Sequence, residues 1–374
     1  MEIPNLDYSD LLTTTFKLVI FFIRVDTDPL FTHFLMHFCS LPHLAIIDLS
    51  DTRVDPEGLS LLLACHPRLA TIVHVENFHS FHLVQTMSSY ADQRYHLKHL
   101  STHDIHITPD NYEYAIEHCP HLESLSITST GLINEHLYKL MTIKNLSSLH
   151  LGNKHCQNFN FYEGVAPVLD VIGPNLKKLV LEDFTEVDID FIGDKCRQLQ
   201  HLALSNILTY GPSKLDSKYF TQLGSLEIWN KIGQDHELAV SQSVLMQLLC
   251  RAPLTYVLLQ RIANLTDELL MEVLSMNRLL QLRNVVIDYC HNISARFIWL
   301  LLEQPNNLAV LRCWHNKGVD EDTKDQVQDV ITDDNLILYW EYYAYNEYEE
   351  LLDAGQIILE NEYEEEEEDE DDDD

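Results

Sequence analysis

Residues 119–128 read CPHLESLSIT: a cysteine and a proline, then Leu122, Leu125 and Ile127 in the order Leu-x-x-Leu-x-Ile. Leu125 and Ile127 alternate with Ser124, Ser126 and Thr128, and a period of two places the apolar pair on one face of a strand. The same cadence returns as CRQLQHLALS from Cys196 and as QPNNLAVLRC from Gln304. Its first leucine recurs at Leu44, Leu69, Leu97, Leu122, Leu146, Leu176, Leu199, Leu223, Leu254, Leu282 and Leu308, at intervals of 23 to 31 residues. Regular self-similarity on that scale is the mark of a repeat architecture.

Between the strands lie helix signals. Thr108-Pro109-Asp110 offers an N-cap, a proline at the first helical position and an early acid. Thr266-Asp267-Glu268 and Ser294 offer caps as well. Tyr112, Ala115, Ile116 and Cys119 then fall on one helical face, and Pro67, Pro120, Pro253 and Pro305 stop the helices they follow. A strand and a helix in so short a unit cannot close a core, but about eleven units stacked side by side share one. The expected fold class is therefore an α/β solenoid.

This pattern resembles the leucine-rich-repeat superfamily, and in particular the cysteine-containing subclass of F-box/LRR proteins. The resemblance spans roughly residues 40–320 and is carried by Cys65-His66-Pro67, Cys119-Pro120, Cys196 and Cys250-Arg251-Ala252-Pro253. It implies a curved parallel sheet with helices on the convex side. It also implies substrate recognition in an SCF-type ubiquitin ligase, with the SCF adaptor and cullin as partners reached through an F-box. No Leu-Pro-x-Glu start of an F-box is recognisable, so that element is lost, divergent or missing from this chain. Two repeats depart from the pattern. His74 stands where an apolar residue belongs unless the strand slips to point Val73 and Val75 inward. Of the inward Asn or Cys that closes each strand, Cys290 fits and Lys154 does not.

The net charge of −35 is unevenly placed. Residues 320–374 hold 25 acids against Lys324 alone, and the other 319 residues hold 34 acids against 23 bases. Direct nucleic-acid binding is not expected, because phosphate contacts need clustered Lys and Arg. A second resemblance, of a repeat body with a long acidic tail, is to acidic nuclear phosphoproteins, and it implies basic partners such as histones. A tail that only solubilises is the alternative.

Residues 1–40 read as an N-terminal cap or degenerate leading repeat. Within them, Phe16–Ile23 is a strand or a buried helix segment. Residues 41–319 read as the solenoid, and 320–359 as a C-terminal cap. That cap is expected to be helical, with Ile337, Trp340, Tyr343, Leu351 and Leu352 packing inward and Gly355 ending it. Residues 360–374 hold 13 acids and no base, and should be a disordered acidic tail.

No membrane span is expected, since Leu18–Ile23 is far short of the twenty or so apolar residues a bilayer requires. The start lacks the cationic region of a signal peptide. A cytoplasmic or nuclear location follows, with reduced cysteines and the sequons at Asn145, Asn264 and Asn292 as products of the repeat pattern. There is no CxxC pair, GxGxxG, GxxxxGK or GxSxG. His33 and His37, or the group His96, His99, His103 and His106, could attract a metal. A polar helix face and a solvated strand surface explain them more simply. His118-Cys119 is read as a repeat terminus and core cysteine rather than a catalytic pair. The expectation is thus no enzyme, no cofactor and no metal.

Function is instead expected on the outward strand positions. These run through Ser124, Ser126 and Thr128; Ser148 and His150; Lys178 and Glu182; His201 and Ser205; Glu227 and Trp229; Tyr256 and Gln260; Asn284 and Asp288; and Arg312 and Trp314. A protein partner is expected on this concave face. His201, Trp229, Tyr256, Asp288, Arg312 and Trp314 are the chosen site residues, since Trp, Tyr and Arg dominate interface energetics. The alternative is that one or two of these aromatics pack on the C-terminal segment of the same chain.

Overall fold

Among the described residues, strand follows strand in one direction. The computed structural model describes residues 17–18, 44–48, 62–73, 93–102, 108–128, 131–153, 159–214, 216, 218–231 and 240–346. Three short strands, β1 (Lys17–Leu18), β2 (Ile46–Asp48) and β3 (Thr71–Val73), form a parallel sheet. Amides of His96 and Lys98 donate to the carbonyls of Pro67 and Ala70, which carries the stack onward.

The main sheet has ten parallel strands. They are β4 (His99–Thr102), β5 (Ser124–Thr128), β6 (Ser148–Gly152), β7 (Lys178–Glu182), β9 (His201–Ser205), β11 (Ser225–Trp229), β12 (Tyr256–Gln260), β13 (Asn284–Asp288), β14 (Val310–Trp314) and β15 (Tyr339–Tyr343). A two-residue pair, β8 (Glu186–Val187) with β10 (Thr209–Tyr210), forms a separate ribbon. Each main strand pairs with the one before it in the stack, so the fold is an α/β leucine-rich-repeat solenoid. Helices such as Pro109–His118, Gln242–Leu249, Asp267–Met276, Ala295–Leu302 and Glu321–Asp333 return the chain to the next strand.

The alternating pattern explains the core. Leu125, Ile127, Leu149, Leu151, Leu202, Leu204, Leu226 and Ile228 are all buried, as are ten of the eleven leading leucines; Leu308 is partly buried. Each buried leucine contributes about 1.5–3 kcal/mol. The helix signals also hold. Thr108, Thr266 and Ser294 accept from the amides of Asn111, Leu269 and Arg296, and Tyr112, Ala115, Ile116 and Cys119 face inward.

Register is locked before each strand begins. The carbonyls of Lys98, Glu123, Ser147, Lys177, Gln200, Gly224, Thr255 and Arg283 each accept two successive amides from the next repeat. Asn264 and Asn292 donate their side-chain amides to the carbonyls of Val240 and Ala263, tying one repeat to the preceding one.

Three expectations change. The C-terminal segment is not helical through Trp340 and Tyr343: Tyr339–Tyr343 is the tenth strand of the main sheet, paired with β14. The β-prone run YWEYY meets the open edge of β14, whose amides and carbonyls need partners. Alternation then turns Trp340 and Tyr342 toward the core, while Ile337 is 95% exposed and Tyr343 faces outward. Strand β3 does not slip, since Ile72 pairs with Ile47 and is buried; His74 and Val75 lie outside the described residues.

The third change concerns the residue closing each strand. In β6 the inward role falls to Asn153, one position before Lys154, with its side chain donating to the carbonyl of Phe159. Asn230 and Asn316 are buried at the ends of β11 and β14. Asn316 donates to the Ile287 carbonyl at 3.0 Å and accepts from the Cys290 amide at 2.7 Å. Lys17–Leu18 confirms a strand within Phe16–Ile23. The helix carrying His33 and His37, residues 347–359 with Leu351, Leu352 and Gly355, and the tail 360–374 lie outside the described residues.

Candidate functional site: the concave sheet face

Strand register arranges the outward side chains in three rows. The first runs His99, Ser124, Ser148, Lys178, His201, Ser225, Tyr256, Asn284, Val310 and Tyr339. The second runs Ser126, His150, Val180, Ala203, Glu227, Leu258, Val286, Arg312 and Glu341, and the third Glu182, Ser205, Trp229, Gln260, Asp288, Trp314 and Tyr343. His201 and Tyr256 thus share the first row, and Trp229, Asp288 and Trp314 the third. Asp288, Arg312 and Trp314 come together on the adjacent strands β13 and β14, while His201 lies farther toward the N-terminal repeats.

The chosen residues differ in how much they present. Trp229, Tyr256, Arg312 and Trp314 are partly exposed. Asp288 is only 7% exposed, accepting from Gln260 at 2.6 Å and contacting His315 at 2.9 Å. Its carboxylate orients its neighbours. Arg312 pairs with Glu341 at 2.9 Å, and its guanidinium lies 5.6 Å and 5.7 Å from the ring centroids of Trp314 and Tyr339. Trp314 also meets Tyr343 at 6.0 Å. The alternative weighed for these aromatics is therefore realised at Trp314, through β15.

Sequence reasoning missed the residues just beyond the strands. Asp183, Asn206, Arg261, Tyr289 and His315 all have φ between 50° and 60°. Each donates its amide to the last carbonyl of the next strand, at 2.8 to 3.1 Å. The left-handed conformation suits Asn and Asp but costs a bulky residue about 1–2 kcal/mol. Arg261, Tyr289 and His315 nevertheless occupy it at the three repeats β12 to β14. There the Arg261 guanidinium covers the Tyr289 ring at 4.1 Å, Tyr289 stacks on His315 at 4.6 Å, and His315 stacks toward Tyr343 at 6.1 Å. Residues held in sparsely populated backbone regions cluster at functional sites. The only available signal was their common offset from the leucine cadence.

The N-terminal half holds a different set. Ser126 Oγ lies 2.9 Å from His150 Nδ1, and His150 Nε2 lies 3.3 Å from Glu182 Oε1. The composition matches a hydrolytic triad, but the surroundings do not. Acyl transfer needs amide donors aimed at an oxyanion, and the amides of β5 to β7 are engaged in the parallel ladder. A similar trio follows at Ser225, His201 and Glu227, with distances of 2.9 Å and 3.9 Å from the imidazole. Both sets link side chains of neighbouring strands across the sheet face. Among the described residues no three His, Cys, Asp or Glu side chains gather as metal ligands. Burial pushes the thiols of Cys196, Cys290 and Cys313 up to about 12, so those cysteines are protonated core residues. Cys39 and Cys156 are outside the described residues.

Burial, with help from Lys178, lowers the His201 pKa to about 4, and burial raises that of Glu227. At neutral pH His201 is uncharged and its contact with Glu227 is not an ion pair. An unfolded histidine takes up its proton near pH 6.5. His201 therefore favours the folded state above that pH, and the advantage falls away as pH drops from 6.5 toward 4. Glu227 acts in the opposite direction near the acidic end. His201→Gln should flatten the loss of stability between pH 6.5 and 5, read by urea denaturation of both chains. Parallel curves for the two would refute the assignment.

The rows, ladder and helices define the leucine-rich-repeat fold, with one sheet face left open. Among solved structures, the chain is similar to Rad7 in the yeast Rad7–Elc1 complex. The TM-score is 0.56 at 18% identity, over 77% of this chain and 75% of that one. It also matches an internalin from Listeria monocytogenes (TM-score 0.41, 14% identity, 82% of this chain and 75% of that one). A leucine-rich-repeat protein from Leptospira interrogans matches at TM-score 0.37 and 13% identity, over 81% and 74% of the two chains. At 18% identity the likeness to Rad7 concerns the fold alone. No family model and no curated protein matches the sequence. No helix among the described residues is long and apolar enough to cross a membrane.

Proposed function

We propose that this chain is a non-catalytic scaffold that holds a protein partner on its concave face, and that it serves as the substrate-recognition part of an SCF-type ubiquitin ligase. The observation that carries the scaffold reading is the row geometry. A parallel sheet carries Trp229, Tyr256, Arg312 and Trp314 on one face, across strands β11 to β14 in its C-terminal half. Aromatic and Arg side chains on a preorganised surface bind proteins with little ordering cost.

In this reading residues 41–319 form the partner-binding solenoid, 1–40 and 320–359 cap it, and 360–374 form a tail. His201 and Asp288 orient the face that the aromatics and Arg312 present. The ligase role rests on the resemblance to F-box/LRR proteins, and accords with Rad7 having been solved with a second protein, Elc1. The adaptor and cullin would then be partners. The 13 acids of residues 360–374 favour a second reading, in which the tail attracts basic proteins such as histones.

One binding assay with the full chain separates these readings. The SCF adaptor should bind with an affinity little changed between 0.1 M and 0.5 M salt. Histone association through the tail should fall steeply over the same range. No adaptor binding would sink the ligase role, and salt-insensitive histone binding would sink the tail role.

A further inference from the structure

The main sheet ends at β15, and among the described residues that strand pairs with β14 alone. The Tyr339 amide donates to the Ala309 carbonyl and the Tyr343 carbonyl accepts from the His315 amide, so residues 339, 341 and 343 face β14. Backbone groups alternate sides along a strand, which points the amides and carbonyls of Trp340 and Tyr342 at the outer edge. Folded proteins block such edges with Pro, Lys, bulges or charged side chains. β15 has no Pro, no Lys and no bulge, and its one charged residue, Glu341, is bonded to Arg312 at 2.9 Å. The indole N–H of Trp340 is buried without an acceptor among the described residues. Beside the edge stand Tyr339 and Tyr343, 55% and 51% exposed, and the fully projecting Ile337.

Charge selects the occupant. Residues 320–346 hold eight acids against Lys324, and Lys324 is itself paired with Glu321 at 2.9 Å. A second copy of this end would bring acid against acid, with Glu341 near its own counterpart in a two-fold pairing. Residues 347–374 hold 17 acids and no Lys or Arg, so the chain's own sequence offers only more charge of the same sign. A basic extended segment is the complementary partner for an open strand edge. The stack also sets its direction, since every strand of the main sheet is parallel to the one before. In this stack a residue on the concave face donates its amide to the preceding repeat, as Val310 does to Arg283 and Tyr339 to Ala309. Cationic side chains at those positions of the segment would stand beside Glu341 and the Tyr339 and Tyr343 rings, where cation–π attraction adds to charge. Apolar side chains at the alternate positions would cover Trp340 and Tyr342, whose ring centroids lie 6.3 Å apart.

We propose that the open edge of β15 is a docking site for an extended basic segment of a partner protein. The segment adds as a further parallel strand, with cationic residues on the concave face and apolar residues against Trp340 and Tyr342. The inference rests on neither the ligase reading nor the tail reading.

Calorimetric titration of the intact chain with a synthetic peptide of alternating Lys and Val tests this, beside a block isomer that places all its Lys before its Val. The alternating peptide should bind about tenfold more tightly, the gain of one or two net hydrogen bonds that only a matched strand makes. A peptide of alternating Glu and Val should not bind. Methylating the backbone amides of the Lys residues should remove the tenfold advantage, and methylating those of the Val residues should retain it, because only the former face β15. Amide exchange of the intact chain should slow severalfold at Trp340 and Tyr342 when the alternating peptide is bound, while β5 to β7 are unchanged. Equal binding of the two isomers, with no protection at Trp340 and Tyr342, would mean attraction to the acids alone and would overturn the proposal. Protection of those two amides in the free chain would overturn it as well. If independent of protein concentration, it would assign the edge to another segment of the same chain, and if concentration-dependent, to a second copy.

Discussion

Asn316→Ala should lower the stability of the C-terminal repeats by about 3–5 kcal/mol, because it strands two buried backbone groups at about 1–3 kcal/mol each and leaves a small cavity. Asn316 has no exposed surface, and its amide joins two consecutive layers of the stack. Its nitrogen donates to the Ile287 carbonyl of β13, its oxygen accepts from the Cys290 amide, and it lies 3.1 Å from Cys313 Sγ. Solenoids couple mainly to nearest neighbours, so the loss should be local. Amide exchange should accelerate in Leu311–Cys313 and in β15, while β5 to β7 keep their protection. Unchanged exchange in β14 would show that the hydrogen bonds are dispensable.

Trp229→Ala and Trp314→Ala should each weaken partner binding by about 30-fold, the effect of removing a central aromatic worth about 2 kcal/mol. The two residues share the third row but stand three strands apart, roughly 14 Å. At that separation their effects should add, giving about a thousandfold loss in the double variant. Ser148→Ala, at the N-terminal half of the same face, should change affinity less than twofold. Titration calorimetry with the protein bound by the intact chain measures all four. Thermal melts run alongside separate lost contact from lost folding, since Trp314 also touches Arg312 and Tyr343. A loss confined to the Ser148 variant would move the site to the other end of the sheet.

The leucine cadence was legible because it obeys local rules. A period of two set Leu125 and Ile127 inward, and Thr108, Thr266 and Ser294 announced their helices through caps that act over two or three residues. The outward rows follow from the same period, which sets His201, Trp229, Tyr256, Arg312 and Trp314 on one face. Asp288 lies in the row but is engaged with Gln260 and His315, a pairing across three strands that period alone does not reveal.

The last strand was less legible. Tyr339–Tyr343 carries aromatics at spacings that fit a helix face as well as a strand, and only the open edge of β14 selects the strand. That selection brings Glu341 to Arg312 and Tyr343 to Trp314, so the C-terminal segment completes the candidate site instead of merely covering a core. The left-handed positions were not legible either. Nothing in the residue types Arg, Tyr and His signals φ near 50°, and the conformation is imposed by amides reaching the next strand's last carbonyl.

By itself, then, the sequence determined that this protein is a stack of strand-and-helix units and which strand positions face outward, because apolar periodicity and caps are properties of neighbouring residues. Which of those positions are presented, which are tied to one another, and which cations and rings gather beyond the strand ends were decided by tertiary structure. Those relations join residues about 25 to 30 positions apart, and only the register of one repeat on the next brings them within a few ångströms.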